Sequence, residues 1–480
     1  MFRRARTPLL LLAAGLLAAC AAARPPPPAE PAGAEGCLGR LEALDAAVAA
    51  AGVGDGEAAR IPGHPYLRVD RLLASFAGEL ATAGARRAWL EALRRLDLEA
   101  RRAELANLPG PAPATPDEIE RCGRALVAAL AADAGAARAL AAAVRVPDEY
   151  RTARRVLGLY AVTALPVDLL ARRWRRRAAG TFALPPQALP AGGPWRILRP
   201  PRAETAPPWP PTRDALGIPR PEAAAARALA ARHAPTFVIA RAGPADDPGR
   251  PRWRRGAARP DVDRGDPVVY WRLAHTRLQG ETLLQIVYVV WFPERPRSGP
   301  FDLLGGRLDG LTWRVTLDRE GRPLAYDVMH NCGCYHMFLP TPRLRPRPWP
   351  PAAGEPPFVP AVIPPPPAGA AAPALFLAAG THQLLHVDWR PPPSAPAARY
   401  RLAPYAELRS LPLPEGGRRS LFRPDGIVPG TDRGERWLLW PMGIPHPGAM
   451  RQWGHHAIAF VGRRHFDDPF LLEEAFLPAP

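Results

Sequence analysis

Apolar positions recur every three or four residues through the first third of the chain. Four segments between about Cys37 and Ala179 carry this pattern: CLGRLEALDAAVAAAG, VDRLLASFAGELA, RRAWLEALRRLDLEARRAELANLPG and TPDEIERCGRALVAALAADAGAARALAAAV. Such spacing places the apolar side chains on one face of an α-helix. Thr115, Pro116 and Glu118 have the order of an N-cap, a first-turn proline and a capping-box acid. We therefore predict a helical bundle over residues 37–180.

The pattern changes after residues 181–220, a proline-rich stretch without periodicity that we interpret as a linker. After one further helix the chain is rich in β-branched and aromatic residues, in the segments TFVIAR, PVVYWRLAHTRL, ETLLQIVYVVWF, LTWRVTLD, LAYDVMH, ALFLAAGTHQLLHVDW and HHAIAFVG. These residues are typical of strands. We predict a mainly antiparallel β-sandwich over residues 221–480, with a proline-rich insertion at 340–373, and hence an α+β fold.

The first twenty residues, MFRRARTPLLLLAAGLLAAC, join a basic start to an apolar run that is too short to span a bilayer. This order is typical of a signal peptide, here residues 1–19. The stretch LAAC, which ends at Cys20, resembles the lipobox of bacterial lipoproteins. That resemblance implies that the mature chain begins with an acylated Cys20. Ala21 stands where an inner-membrane retention signal has Asp, which implies the outer membrane of a Gram-negative cell.

The leader also indicates the partners of the protein. Residues 20–36 are predicted to be an extended proline-rich tether between the bilayer and a body that faces the periplasm. The net charge of +18 is typical of nucleic-acid-binding proteins, but a periplasmic protein meets no chromosome, so we expect no nucleic-acid partner. The expected partners are the lipid bilayer, through Cys20, and an envelope protein or polysaccharide.

The stretch MHNCGCYHMF, residues 329–338, places His330, Cys332, Cys334 and His336 on alternate positions. In an oxidising compartment the two cysteines can form a disulfide, although alternate Cα atoms of a strand lie about 6.5 Å apart, near the upper limit for bridging. Gly333 permits the bend that such a small ring needs. An inert disulfide with locally bonded histidines, a metal site and an active thiol pair remain as alternatives.

The metal hypothesis assigns zinc or copper to these thiolates and imidazoles, which are the ligands that both metals prefer. A straight strand separates His330 from His336 by about 20 Å, so one ion binds both only if the chain turns at Gly333. His382 is the leading distant ligand; the other outside candidates are His386, His455 and His456. If the metal is catalytic, it activates water for hydrolysis and Asp309 or Asp467 moves the proton.

Catalytic residues, and whether the chain is an enzyme at all, are left open by the sequence. It contains no nucleophile elbow, phosphate-binding glycine loop, zinc-protease helix or dinucleotide fingerprint. The alternative function is a non-enzymatic scaffold or binding lipoprotein whose cysteines are structural. Cys37 and Cys122 both lie near predicted helix starts, so we predict a disulfide that joins two helices and contributes a few kcal/mol, with two buried free thiols as the alternative.

The strand segments are similar to β-sandwich proteins of the necrosis-inducing type. In that family an apolar strand ending in aromatics, a strand opening with Asp and Trp, and two strands carrying His converge around a cation. By position, Asp309, His330 and His382 match the converging residues, and Trp313 is expected to pack beneath them. Arg314 stands where the family has Glu, so its His-Asp-Trp-Glu cluster is absent.

Overall fold

The computed structural model describes residue 30 and residues 34–202, 208–350, 353–367, 372–392 and 395–479. The predicted signal peptide, Cys20 and most of the tether lie outside the described residues. Where it is described, the chain is mixed α and β. Its helices are α1 (Cys37–Ala51), α2 (Arg71–Ala74), α3 (Ala83–Asn107), α4 (Pro116–Ala132), α5 (Ala134–Ala143), α6 (Thr152–Leu157), α7 (Tyr160–Phe182), α8 (Ala223–Arg232), α9 (Arg436–Leu439) and α10 (Leu471–Ala475).

The N-terminal region is not helical throughout, because a hairpin interrupts it. Strands β1 (Ala59–Ile61) and β2 (His64–Val69) pair antiparallel, and Tyr66 and Leu67 of β2 share an apolar core with Trp89 of α3. Strand β1 has only three residues, and the six of β2 do not alternate between apolar and polar, so neither strand shows a period of two in the sequence. The predicted capping box is confirmed, since the Thr115 hydroxyl accepts from the Glu118 N–H and the Glu118 carboxylate accepts from the Thr115 N–H.

The predicted disulfide is confirmed too. Cys37 and Cys122 are bonded to each other, with their Cα atoms 5.4 Å apart, and so join α1 to α4. Across the described residues no single helix is long and apolar enough to cross a membrane. Only α4 and α5 taken together pass that test of length and composition, and they are bent by 105° where they meet.

The remaining strands form two larger sheets and several short pairs. The strands are β3 (Trp195–Arg199), β4 (Thr236–Ala240), β5 (Arg250–Arg252), β6 (Asp261–Asp263), β7 (Val268–Leu278), β8 (Glu281–Arg295), β9 (Gly306–Leu317), β10 (Pro323–His330), β11 (Met337–Pro340), β12 (Leu344–Pro346), β13 (Ala374–Leu377), β14 (Leu384–Asp388), β15 (Ala397–Arg399), β16 (Arg401–Pro404), β17 (Leu411–Pro412), β18 (Arg418–Arg419) and β19 (Phe476–Pro478).

The larger sheet has the order β11-β10-β9-β8-β7-β16 and is antiparallel except for the parallel pair β7–β16. Trp313 of β9 lies opposite Tyr288 of β8 and Val328 of β10, which sets the register. The second sheet has the order β14-β13-β4-β3-β15, in which β13 pairs parallel with β4 and β15 parallel with β3. The sheets are therefore more mixed than predicted, and β3 comes from the segment predicted as a linker.

Both faces of the larger sheet are covered. Tyr288, Trp313 and Tyr326 pack on one face with Phe237 and Leu375 of the second sheet. On the opposite face, Val287 and Trp291 pack in a core with residues of the C-terminal segment. A strand that is buried on both faces has a continuous apolar sequence, which explains the unbroken run LLQIVYVVWF of β8.

Candidate functional site

The turn between β10 and β11 bends the predicted Cys/His motif sharply. The Gly333 N–H donates to the His330 carbonyl at 2.8 Å, and the His330 N–H donates to the Cys334 carbonyl at 3.0 Å. Gly333 has a φ of +91°, and a Cβ at this position would lie 2.5 Å from the Ala457 carbonyl oxygen. Only glycine fits both constraints. The bend required by the metal hypothesis is thus present.

On one side of the turn, four side chains form what we call the buried His–Asp chain: Asp246, His382, Asp309 and His330. His382 Nδ1 is 2.7 Å from Asp309 Oδ2, and His330 Nδ1 is 3.6 Å from Asp309 Oδ1. His382 Nε2 is 3.4 Å from Asp246 Oδ1. All four residues are at most 3% exposed. The three residues matched by the resemblance are therefore brought together, and Asp246, from the turn after β4, joins them.

The charges of the buried His–Asp chain are largely compensated by its own members. Burial opposes protonation of His382, but its contacts with Asp246 and Asp309 outweigh burial and raise its pKa. Burial likewise opposes ionisation of Asp309, yet His330 and His382 hold its pKa well below the usual range. Burial lowers the pKa of His330. The two carboxylates therefore favour the protonated form of His382, whose ring stacks on Phe292 with ring centroids 3.8 Å apart.

His336 lies in a different environment. Its Nε2 is 3.1 Å from Asp327 Oδ2, and Asp327 is also paired with Arg314. Asp327 and His330 are three residues apart on β10, so their side chains point to opposite faces of the sheet. The two histidines of the motif therefore do not converge. Burial lowers the pKa of His336 and favours the neutral imidazole.

Cys332 and Cys334 are adjacent free thiols. The two side chains are hydrogen-bonded, and the Cys334 N–H also lies 3.4 Å from the Cys332 sulfur. The hydrogen bond to Cys332, together with burial, raises the pKa of Cys334 well above its usual value. Because the thiolate is the reactive form, Cys334 is a weak nucleophile in this state.

The predicted metal ligands do not form one group. Among the residues that the structure describes, no three His, Cys, Asp or Glu side chains are grouped as metal ligands are. The zinc or copper site built on His330, Cys332, Cys334, His336 and His382 thus remains a prediction that this arrangement of side chains does not support. The outside candidates make other contacts: His386 bonds to the Phe182 carbonyl and His455 to Glu149.

The other side of the turn borders a cavity of about 300 Å³, which we call the apolar pocket. Helix α7 forms one wall, the turn forms the floor, and residues 457–460 with the segment around α9 close the remaining sides. The Trp174 ring lies against Tyr335 and Phe358, with ring centroids 5.2 and 5.3 Å away. The lining residues that carry the argument below are Leu170, Ala171, Trp174, Cys334, Glu435 and Leu439.

A few polar groups occur inside this pocket. Burial raises the pKa of Glu435 to about 7, so this carboxyl is partly protonated at neutral pH. Glu355 is paired with Arg175 and also accepts from the N–H groups of Phe460 and Val461, both at 2.8 Å. A mainly apolar cavity with a small number of placed polar groups is the usual form of a site for an organic ligand.

Exposed apolar side chains lie on the outer face of α6 and α7 and on the segment around α9, and we call them the apolar patch. They are Val156, Leu157, Leu159, Val162, Leu165, Leu169, Leu170, Trp437, Leu438 and Trp440, with exposed fractions between 38% and 77%. Arg151 and Arg155 tie α6 to residues 442–443, so the two parts of the patch adjoin. Leu170 belongs both to the patch and to the pocket. Adjoining exposed apolar side chains are typical of interaction surfaces.

No signal in the sequence pointed to the pocket or the patch. Helix α7 lies largely within residues 37–180, for which we predict a helical bundle, whereas much of that helix is exposed. The arginine run after them, RRWRRR at 172–177, leaves Arg172, Arg173, Arg176 and Arg177 exposed. Helix α7 therefore carries an apolar half and a basic half along its exposed length.

Comparisons of the chain with protein-family models, with curated proteins and with solved structures gave no match. The resemblances to bacterial lipoproteins and to necrosis-inducing proteins therefore rest on the residues quoted for them. The functional argument rests on the geometry of the site.

Proposed function

We propose that the protein is a lipid-anchored outer-membrane protein that faces the periplasm and binds an amphiphile with one apolar chain in the apolar pocket. The observation that carries the proposal is that Leu170 of α7 both lines the pocket and belongs to the apolar patch. This is the binding-lipoprotein alternative rather than the metal enzyme. The proposal includes a sandwich of the two larger sheets and a helical bundle around the β1–β2 hairpin.

The size and chemistry of the pocket favour a single chain. About 300 Å³ is at the lower end of the range of ligand pockets, which suits one chain better than a whole two-chain lipid. Burial of eight methylene groups would contribute roughly 6 kcal/mol before the entropic cost of binding. Glu435, when protonated, can donate a hydrogen bond to the polar head of the ligand.

The patch supplies a path for the chain. Leu165 and Leu169 are each 65% exposed, and the arginines at 172–177 follow on the same helix. An apolar surface beside a basic run is the usual composition of a helix that lies in the interface of an anionic bilayer. Trp437 and Trp440 suit the level of the headgroups. A chain that leaves the bilayer beside Leu170 would enter the pocket without crossing water.

The test uses the non-lipidated full chain and the fluorescent fatty acid cis-parinarate. We expect one site with micromolar affinity. Ala171 lines the pocket, so Ala171→Trp fills it and should weaken binding at least tenfold. The control is Ala224→Trp on the exposed surface of α8, which should bind like the wild type. Equal affinities for the two variants, or no binding by the wild type, would refute the proposal.

A further inference from the structure

A second region of the molecule has the features of a binding site. Two cavities, of about 370 and 280 Å³, adjoin between the N-terminal region and the C-terminal part of the chain. We call them together the charged cleft. None of the residues that line it lines the apolar pocket. The two cavities share the lining residues Asp70, Arg71, Leu96, Arg272, Trp453 and Asp467.

Most charges on the walls of the cleft are already paired with each other. Arg71 contacts Asp467 at 2.8 Å, and Arg272 contacts Glu57 at 2.8 Å. His455 pairs with Glu149 at 2.9 Å, and Asp55 pairs at 2.8 Å with Arg409, which lies behind the lining. Because the protein neutralises these charges itself, a ligand does not need to bring a charge of its own. A free anion would meet Glu57 and Asp467, and a free cation would meet Arg71 and Arg272.

Some polar groups on the walls nevertheless remain available, and three of them carry the argument. The Glu57 side chain is only 10% exposed, and its Oε2 atom is buried without a hydrogen-bond partner. Burial opposes the ionisation of Glu57, but Arg272 and Arg409 outweigh it and lower its pKa, so this oxygen is an acceptor. Arg95, on α3, makes no hydrogen bond or ion pair within the described residues.

Asp70 is the third group. Its Oδ1 accepts from the Leu73 N–H at 2.8 Å and so caps α2. Burial, opposed by that hydrogen bond and reinforced by the nearby charge of Asp467, raises the pKa of Asp70 to about 6. The carboxyl is therefore mostly ionised and an acceptor at pH 7, and it gains a proton to donate as the pH falls towards 6. The cleft thus presents a fixed acceptor, a fixed donor and a group that does both.

Hydroxyl groups match this set, since each one can donate and accept at the same time. We propose that the charged cleft binds a neutral saccharide chain, with Glu57 accepting from one hydroxyl and Arg95 and Asp70 contacting others. The two adjoining cavities give an elongated space suited to more than one sugar ring. This site is independent of the apolar pocket, so either proposal can fail without the other.

The experiment is calorimetric titration of the non-lipidated full chain with two neutral probes, chitotetraose and maltotetraose. We expect at least one of them to bind at a single site with a Kd below 1 mM. Glu57→Gln removes the charged acceptor and should weaken binding about tenfold, in line with a lost hydrogen bond to a charged group. The matched control is Glu320→Gln in the exposed turn between β9 and β10, which should leave the affinity unchanged.

A second variant guards against a folding defect in Glu57→Gln. Leu96 lines both cavities, so Leu96→Trp should fill the cleft and abolish binding. Thermal unfolding of each variant establishes that it is folded at the titration temperature. Absence of binding by both probes would overturn the inference. So would an affinity that neither variant changes, or tighter binding of the cationic chitosan tetramer or the anionic tetragalacturonate than of either neutral probe.

Discussion

The two sides of the turn at residues 331–336 differ in how their polar groups are satisfied. On one side, His330 belongs to a buried ionic chain that contains its own counter-charges. On the other, Cys334 borders a cavity, and the nearby Glu435 has a pKa raised by burial. One short motif thus contributes both to a buried ionic cluster and to the floor of the apolar pocket. Its histidines and cysteines are close in sequence but do not act together.

The largest expected effect comes from breaking the buried His–Asp chain. His382→Leu leaves Asp246 and Asp309 without their shared cation in a buried site. Removal of one partner from a buried ionic group costs about 3–5 kcal/mol. We expect the free energy of unfolding in urea to fall by that amount. The matched variant on the pocket side, Cys334→Ala, should cost about 1 kcal/mol or less. Similar losses for the two would remove the contrast between the two sides.

The second effect tests the turn itself, which separates the two sides. Gly333→Ala forces a side chain into positive φ and towards the Ala457 carbonyl oxygen. The backbone strain alone should cost about 1–3 kcal/mol. Because the turn forms the floor of the apolar pocket, cis-parinarate binding should weaken as well. Gly299→Ala, at a glycine with no atom within 4 Å of an added Cβ, is the control. Unchanged unfolding for Gly333→Ala would contradict the geometry.

The sequence allowed part of this site to be predicted. Asp309, His330 and His382 could be placed together because the resemblance to β-sandwiches of the necrosis-inducing type matches them to residues that converge at one place. Asp246 could not, because its turn reaches the site only through the parallel pairing of β4 with β13, more than 130 residues later in the chain. The bend at Gly333 was foreseeable from glycine chemistry, whereas its direction depends on the contact with Ala457.

Prediction of the fold from the sequence was limited in the same way. The Cys37–Cys122 disulfide and the capping box at Thr115 depend on local order or on cysteine pairing, and both were predicted. Strand β3 was missed because the prolines around it hide a five-residue strand that gains its stability from β4 and β15. The exposure of α7 was missed because apolar periodicity shows which face of a helix is apolar but not what covers that face.

A third effect concerns pH, to which the two sides should respond in opposite directions. Asp246 has a pKa lowered to about 2, so its contribution to stability is present above pH 4 and is lost as the pH falls towards 2. Glu435 has a pKa raised from 4.5 to about 7, so the folded state loses stability as the pH rises from 4.5 to 7. Unfolding free energies measured across this range should show both slopes.

Two variants show which carboxyl group causes each slope in the unfolding free energy. Glu435→Gln should reduce the slope between pH 4.5 and 7, most clearly above pH 6, because Asp70, with its pKa of about 6, contributes to the lower part of the same range. The acid limb should remain in this variant, and Asp246→Asn should reduce it. Glu320→Gln, at an exposed carboxylate, should change neither slope. If Glu435→Gln leaves the upper slope intact, the carboxyl beside the apolar pocket is not the group that titrates there.

The smallest effect on stability, and the sharpest on function, is expected in the apolar patch. Leu165→Glu replaces a side chain that is 65% exposed, so the unfolding free energy should change by no more than about 0.5 kcal/mol. A charge at this position should nevertheless disrupt insertion into the bilayer interface. We expect the non-lipidated wild type to float with vesicles of phosphatidylglycerol and Leu165→Glu to remain largely in solution. Val362→Glu, at an apolar residue outside the patch that is 50% exposed, is the control.

The salt dependence of vesicle binding in the same flotation experiment distinguishes the contribution of the apolar half of α7 from that of its arginine half. Exposed arginines attract anionic lipid over a distance of about 10 Å at 0.1 M salt, and added salt screens that attraction. Apolar insertion by Leu165 is not screened. Binding by the wild type should therefore weaken but persist at 0.5 M salt, whereas any residual binding by Leu165→Glu should vanish. If the wild type dissociates completely at high salt, the arginine run alone holds the vesicle, and the pocket has no apolar route to the bilayer.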